Sequence, residues 1–218
     1  MALTAVRPFV LPRALPGAHT VNDWGSSMML DAVAATVGGI DVDIELVGPH
    51  LRVGGRMSLG RFGRLSDRVN HGRGYFLLHD ARLLKRNGDP TPLVLRDLYV
   101  NQDEVTFVAM PHAGEEGPRD ASSMADRPLI AKAPRRHVVF TPGHVISGLI
   151  HVYAEMSLAG LVDSPDPRFI AMTHVSARSL ADRRVVSRFD LLLVNRTQMT
   201  AVAEADAGEQ DAPAVETA

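Results

Sequence analysis

From Ile40 the chain alternates. Ile40, Val42, Ile44 and Leu46 are separated by Asp41, Asp43 and Glu45, a period of two that sends apolar groups to one face of a strand and carboxylates to the other. Gly48-Pro49 marks a turn, and Leu51 to Leu59 reads as a second strand with a bulge or bend at Gly54-Gly55. An Arg- and Gly-rich loop follows and ends in a short helical turn over Leu65 to Asn70, with Ser66 as its expected cap. Tyr75 to His79 predicts a third strand, continued by Asp80 to Leu84. Arg86-Asn87-Gly88-Asp89 has the composition of a hairpin turn. Leu93 to Val100 predicts a fourth strand, Asn101-Gln102-Asp103 a tight turn, and Glu104 to Met110 a fifth strand with Val105, Phe107 and Ala109 on one face.

Upstream, Ser26 to Val37 predicts a helix, capped by Ser26 or Ser27 and stopped by Gly38-Gly39. Before it, Pro8, Pro12 and Pro16 keep residues 1–24 extended or irregular. Residues 111–134 are rich in Gly, Pro, Asp, Glu and Ser, lack periodicity, and read as a linker or long loop.

Strands resume at Arg135 and echo the first set. His50 to Arg56 lines up with His144 to Ile150, Phe76-Leu77-Leu78 with Phe169-Ile170-Ala171, and Val100-Asn101 with Val194-Asn195. The offset stays at 93 or 94, which points to a duplicated small β unit. The expected fold is therefore mainly β: two tandem barrel-like or sandwich-like units with one N-terminal helix. Its parts are an arm and helix over 1–39, a first β unit over 40–110, the linker over 111–134, a second β unit over 135–202 and a disordered acidic tail over 203–218. In the second unit Met156 to Val162, an apolar run, takes the place of the Arg/Gly loop. It is expected to be buried against the first unit or another subunit.

Composition narrows the chemistry. The chain has 218 residues, 45% hydrophobic and 22% charged, with a net charge of -2, a soluble globular profile with no overall pull toward polyanions. Without cysteine there is no disulfide, thiolate metal site or cysteine nucleophile. No run of 18 apolar residues predicts a membrane helix, and a cytoplasmic location is the default expectation. The nine histidines show no H-x-x-x-H or H-x-H spacing, so no metal or other cofactor is expected. The G-x-S-x-G, P-loop and G-x-G-x-x-G patterns are absent, and no catalytic residues are assigned; the expectation is a protein that is not an enzyme.

One local feature stands out. Arg52, Arg56, Arg61, Arg64 and Arg68 lie in or beside the glycine-rich stretch Gly54 to Asn70, against a single acid, Asp67. Guanidinium forks suit phosphate and carboxylate, and glycines let backbone N–H groups approach an anion. With Phe62 the only ring in the loop, nothing favours base stacking over other anions. These arginines are the candidate partner-binding residues. The expected function is a non-catalytic interaction or assembly module whose basic loop contacts an acidic protein segment or polyanion, with a homo-oligomer as a further expected partnership. The alternative is an RNA- or DNA-binding regulator.

Arg64-Leu-Ser-Asp-Arg-Val-Asn70, then Phe76 to Ala81, then Val100-Asn101, resembles a bacterial family of small β domains with an R-L-S-D-x-x-N block, a strand containing Thr-Asp-Ala and a Val-Asn turn. The resemblance covers Ile44 to Ala109, and His137 to Val202 in outline. This chain departs from it with His79 before Asp80-Ala81, and its second unit lacks the R-L-S-D block. The family implies no established chemistry. A fainter likeness, through Asp67 and Asn70, is to Sm-like barrels, and implies ring assembly and RNA binding.

Overall fold

The computed structural model describes residues 40–72, 74–85, 89–111, 132–182 and 186–205. The helix expected over Ser26 to Val37 and most of the acidic tail lie outside them. The fold is mainly β. Ten strands run in chain order: β1 (Asp41–Val47), β2 (Arg52–Ser58), β3 (Tyr75–Leu84), β4 (Pro90–Asn101), β5 (Phe107–Pro111), β6 (Lys132–Phe140), β7 (His144–Tyr153), β8 (Phe169–Ser179), β9 (Val186–Asn195) and β10 (Ala201–Glu204). Two short helices, α1 (Leu65–His71) and α2 (Leu158–Asp163), join β2 to β3 and β7 to β8.

The strands do not form two separate sheets. They make one antiparallel sheet in the order β10-β6-β7-β8-β9-β5-β1-β2-β3-β4. The bond across its middle is β5 to β9, with Phe107 opposite Val194 and Ala109 opposite Leu192. Strand ends also differ from the sequence reading. β6 begins at Lys132, inside the stretch read as a linker, and Ala201–Glu204 forms a strand where the tail was expected to start. The β6–β7 hairpin explains the first shift: Lys132 pairs with Tyr153 and Pro134 with His151. Pairing with β6 explains the second, since Glu204 lies opposite His137.

Two apolar cores form on this sheet. One gathers Ile44, Val53, Met57, Leu65, Val69, Phe76, Leu78, Val100 and Val108, together with Phe169 and Leu193 from the second half of the chain. The other gathers Ile146, Ile150, Ile170, Met172, Val175, Phe189, Leu192 and Val194, together with Val47, Phe107 and Ala109 from the first half. Successive side chains of a strand point to opposite faces, so the middle strands serve both cores: in β9, Leu193 enters the first while Leu192 and Val194 enter the second. Phe107 and Ala109 share the second core as their spacing predicts, whereas Val105, expected on the same face, precedes β5 at the end of the turn Gln102–Glu104 and enters the first.

Two bulges fall at equivalent places in the two halves. Pairing of β2 with β3 shifts between Gly54 and Arg56, and pairing of β7 with β8 shifts between Ser147 and Leu149. A Cβ on Gly55 would lie 3.1 Å from the His79 carbonyl oxygen and 3.2 Å from the Ala81 Cα; one on Gly148 would lie 2.9 Å from a Val175 methyl and 3.1 Å from the Thr173 carbonyl oxygen. Only glycine fits where strands approach this closely.

Candidate functional site

The five arginines do not converge. Arg52 is paired with Glu45, within a β1–β2 ladder that sets Val47 opposite Arg52. Arg56 is paired with Asp80, and the hydrogen bond and charge of that carboxylate push its pKa further above the ordinary arginine value. Arg68 is buried on α1 and donates from Nε to the Ser58 carbonyl at 3.2 Å. These three belong to the fold, because a guanidinium spent on a carboxylate or a backbone carbonyl offers little to a partner.

Arg61 and Arg64 remain on the surface. The Arg61 guanidinium sits 5.2 Å from the Phe62 ring centroid, and its Nη2 lies 3.2 Å from His71 Nε2. The Phe62 and His71 rings are themselves 4.9 Å apart. Arg64 occupies the N-cap position of α1. Among the described residues neither arginine is paired with a carboxylate. The basic feature is thus a two-arginine edge with an aromatic support, smaller than the sequence suggested.

Ser66 is not the helix cap. Arg64 stands there and makes no side-chain cap bond, while Ser66 lies in the first turn and its carbonyl accepts from Asn70 Nδ2 at 3.0 Å. Asn70 reaches across the chain instead. Its Oδ1 accepts from the Phe169 N–H at 2.7 Å and its Nδ2 donates to the Phe169 carbonyl at 3.0 Å. At α2 a serine does cap: the Ser157 hydroxyl accepts from the Gly160 N–H at 3.1 Å. The apolar stretch Met156 to Val162 is not buried as a whole; Leu161 is buried and Val162 is 46% exposed.

The densest polar network lies where the halves of the sheet meet. Asn195 is fully buried and donates from Nδ2 to the carbonyls of Val105 at 2.8 Å and Gln102 at 3.2 Å. Arg168 pairs with Asp103, and Gln198 Nε2 donates to the Asp103 carbonyl at 2.9 Å. Arg196 donates to the carbonyls of Pro167 and Val162, each at 3.2 Å, and to that of Leu161. Burial lowers its pKa while the Asp166 charge acts the other way. Val-Asn at 100–101 and again at 194–195 was the one sequence signal pointing at this seam.

A recess of about 20 Å³ beside the seam is lined by Arg52, Phe107, His144, Ser179 and Phe189, among others, enough for one water. His144 meets Phe107 edge-on at 5.2 Å, and burial, then the Arg52 charge, lowers its pKa below the ordinary histidine value. His79 pairs across strands with Asp97 at 2.7 Å, leaving Asp80 to Arg56. Among the described residues no three acids and histidines cluster as a metal site would need, and no helix is long and apolar enough to cross a membrane. Comparison with protein families, with curated proteins and with solved structures finds no match.

Proposed function

We propose that this chain is a non-catalytic interaction module, a duplicated small β unit that takes an acidic protein segment against Arg61 and Arg64. The observation that carries this reading is the division of labour among the five arginines. Arg52, Arg56 and Arg68 are engaged by Glu45, Asp80 and the Ser58 carbonyl, while Arg61 and Arg64 stay exposed beside Phe62 and His71. Guanidinium next to an aromatic ring favours carboxylates presented beside apolar side chains. In this reading the duplication supplies a scaffold: one copy keeps a basic loop and the other, at α2, has lost it. The module works in the cytoplasm and uses no cofactor.

Retention on an immobilised acidic peptide tests it. Two surface charge-assisted contacts predict binding weakened roughly tenfold or more by Arg61→Ala with Arg64→Ala, and weakened by added salt. Unchanged retention of the double variant sinks the reading. Retention on single-stranded RNA or DNA but not on the peptide replaces the acidic protein by nucleic acid, with a salt slope near the number of phosphates neutralised.

A further inference from the structure

Among the described residues, the sheet ends in two strand edges, β4 on one side and β10 on the other. Both are related by register to the strands that meet in its middle. Tyr75 faces Asn101 as Phe169 faces Asn195, so β4 stands to β3 as β9 stands to β8. Phe107 faces Val47 as Ala201 faces Phe140, so β10 stands to β6 as β5 stands to β1. The backbone agrees: Asp80 and His174, at matching places in β3 and β8, have φ of 50° and 51°. The offset is 94 for β3, β4 and β5 against β8, β9 and β10, one residue more than the sequence alignment of Phe76 with Phe169 required, and 93 for β1 against β6. The outer edges are therefore the two halves of the β5–β9 seam, held apart at opposite ends of one chain.

Among the described residues, side chains at the edges are more exposed than their counterparts at the seam. At the seam Leu193 is fully buried in the core of the other half; its counterpart on β4, Tyr99, is 53% exposed. Val69 on α1, which packs toward β8, is 1% exposed, whereas the corresponding Val162 on α2 is 46% exposed. Asn101 accepts from the Asp103 N–H as Asn195 accepts from the Thr197 N–H, but among the described residues Asn195 alone of the two also donates to carbonyls of the other half, those of Gln102 and Val105.

We propose that copies of this chain pair head to tail, β4 of one against β10 of the next, repeating the β5–β9 seam and closing into a discrete assembly. The seam fixes the register: Tyr99 opposite Val202, Val100 opposite Ala201, and the Asn101 N–H on the Thr200 carbonyl, as the Asn195 N–H is on the Thr106 carbonyl. That register also sets Asp97 beside Glu204. Each already has a partner, Asp97 in His79 at 2.7 Å and Glu204 in Arg135 at 3.9 Å. Such an interface is heterologous, so each copy offers both halves. Closure leaves no edge strand open to further pairing.

Because the chain has no cysteine, crosslinking reads the register directly. Directly opposed strand residues fall within disulfide reach. The full chain is expected to run at a discrete multiple of 23.6 kDa, and Tyr99→Asp to return it to the single-chain mass with an unchanged circular dichroism spectrum. On oxidation, Tyr99→Cys with Val202→Cys in the same chain should give crosslinked species of two or more chains. Leu93→Cys with Val202→Cys, six residues out of register, should not. A wild-type chain that stays at 23.6 kDa at tens of micromolar overturns the proposal, as does equal crosslinking of the two cysteine pairs. Fibres without a discrete mass overturn closure.

Discussion

The carboxamide nitrogen of Asn195 donates to the carbonyl oxygen of Val105 at 2.8 Å, across 90 residues of sequence. A second bond reaches the Gln102 carbonyl at 3.2 Å, and the Asn195 oxygen caps the Thr197 N–H at 3.2 Å. One fully buried side chain thus satisfies groups on both sides of the seam. Asn195→Ala leaves buried carbonyls unpaired and is expected to cost about 2–4 kcal/mol in chemical denaturation. Asn101→Ala, which within one chain removes only the bond to Asp103, is expected to cost about 0.5–1 kcal/mol. At a protein concentration that keeps the chain single, equal losses would show that the seam does not distinguish the two asparagines.

Part of this architecture was legible in the sequence: Tyr75 to Leu84 keeps period-two burial over most of its length, Asp41 to Val47 alternates in sequence although Glu45 and Val47 are also buried, and the Gly54-Gly55 bulge follows from glycine in a strand. The continuity of the sheet was not legible. Strand order depends on which edges meet, and β9 announces its two-sided burial only as an apolar run, Leu191 to Val194, that an isolated unit's core would show equally well. The fate of the arginines was hidden for a similar reason. Glu45 and Asp80, which engage Arg52 and Arg56, lie 7 and 24 residues away in sequence, and only pairing of β2 with β1 and β3 brings them near. Ser66 misled because a serine ahead of a helical turn usually caps it, yet here the N-cap is Arg64, two residues earlier, and Ser66 lies inside the first turn.

Gly148 should not tolerate a methyl group. A Cβ there meets Val175 Cγ2 at 2.9 Å and the Thr173 carbonyl oxygen at 3.1 Å, and the backbone oxygen cannot swing away as a side chain would. Gly148→Ala is expected to lower stability by about 1–3 kcal/mol. Gly143→Ala, with nothing within 4 Å of the added carbon, is expected to stay within about 0.5 kcal/mol of wild type. Thermal melts of the two variants side by side check the contrast.

His144 predicts a particular pH response. Burial and the Arg52 charge lower its pKa below 6.5 in the folded chain, so folding favours the neutral ring. The unfolded chain takes up the proton first as pH falls. Stability from this group is therefore full above about pH 6.5 and declines as pH drops through that value toward the lower folded pKa. His144→Gln, neutral throughout, should lose less stability than wild type between pH 7 and pH 5. Carboxylates titrate in both proteins, so the difference between the two denaturation curves isolates the histidine. A difference that grows in the opposite sense would contradict the burial of a neutral ring.

Arg68 and Arg64 lie four residues apart on the same helical turn and should behave in opposite ways. Arg68 is 8% exposed and its Nε donates to the Ser58 carbonyl at 3.2 Å, tying α1 to the end of β2. Arg64 is exposed at the helix start and makes no side-chain cap. Arg68→Ala removes buried packing along with the hydrogen bond, and is expected to destabilise by about 1–3 kcal/mol. Arg64→Ala is expected to move stability by less than about 0.5 kcal/mol while weakening retention on the acidic peptide. Measuring both readouts on both variants separates the arginine that builds the loop from the arginine that the loop presents. If Arg68→Ala instead kept full stability and lost only binding, the assignment of Arg68 to the fold would be wrong, and the basic surface would extend over α1.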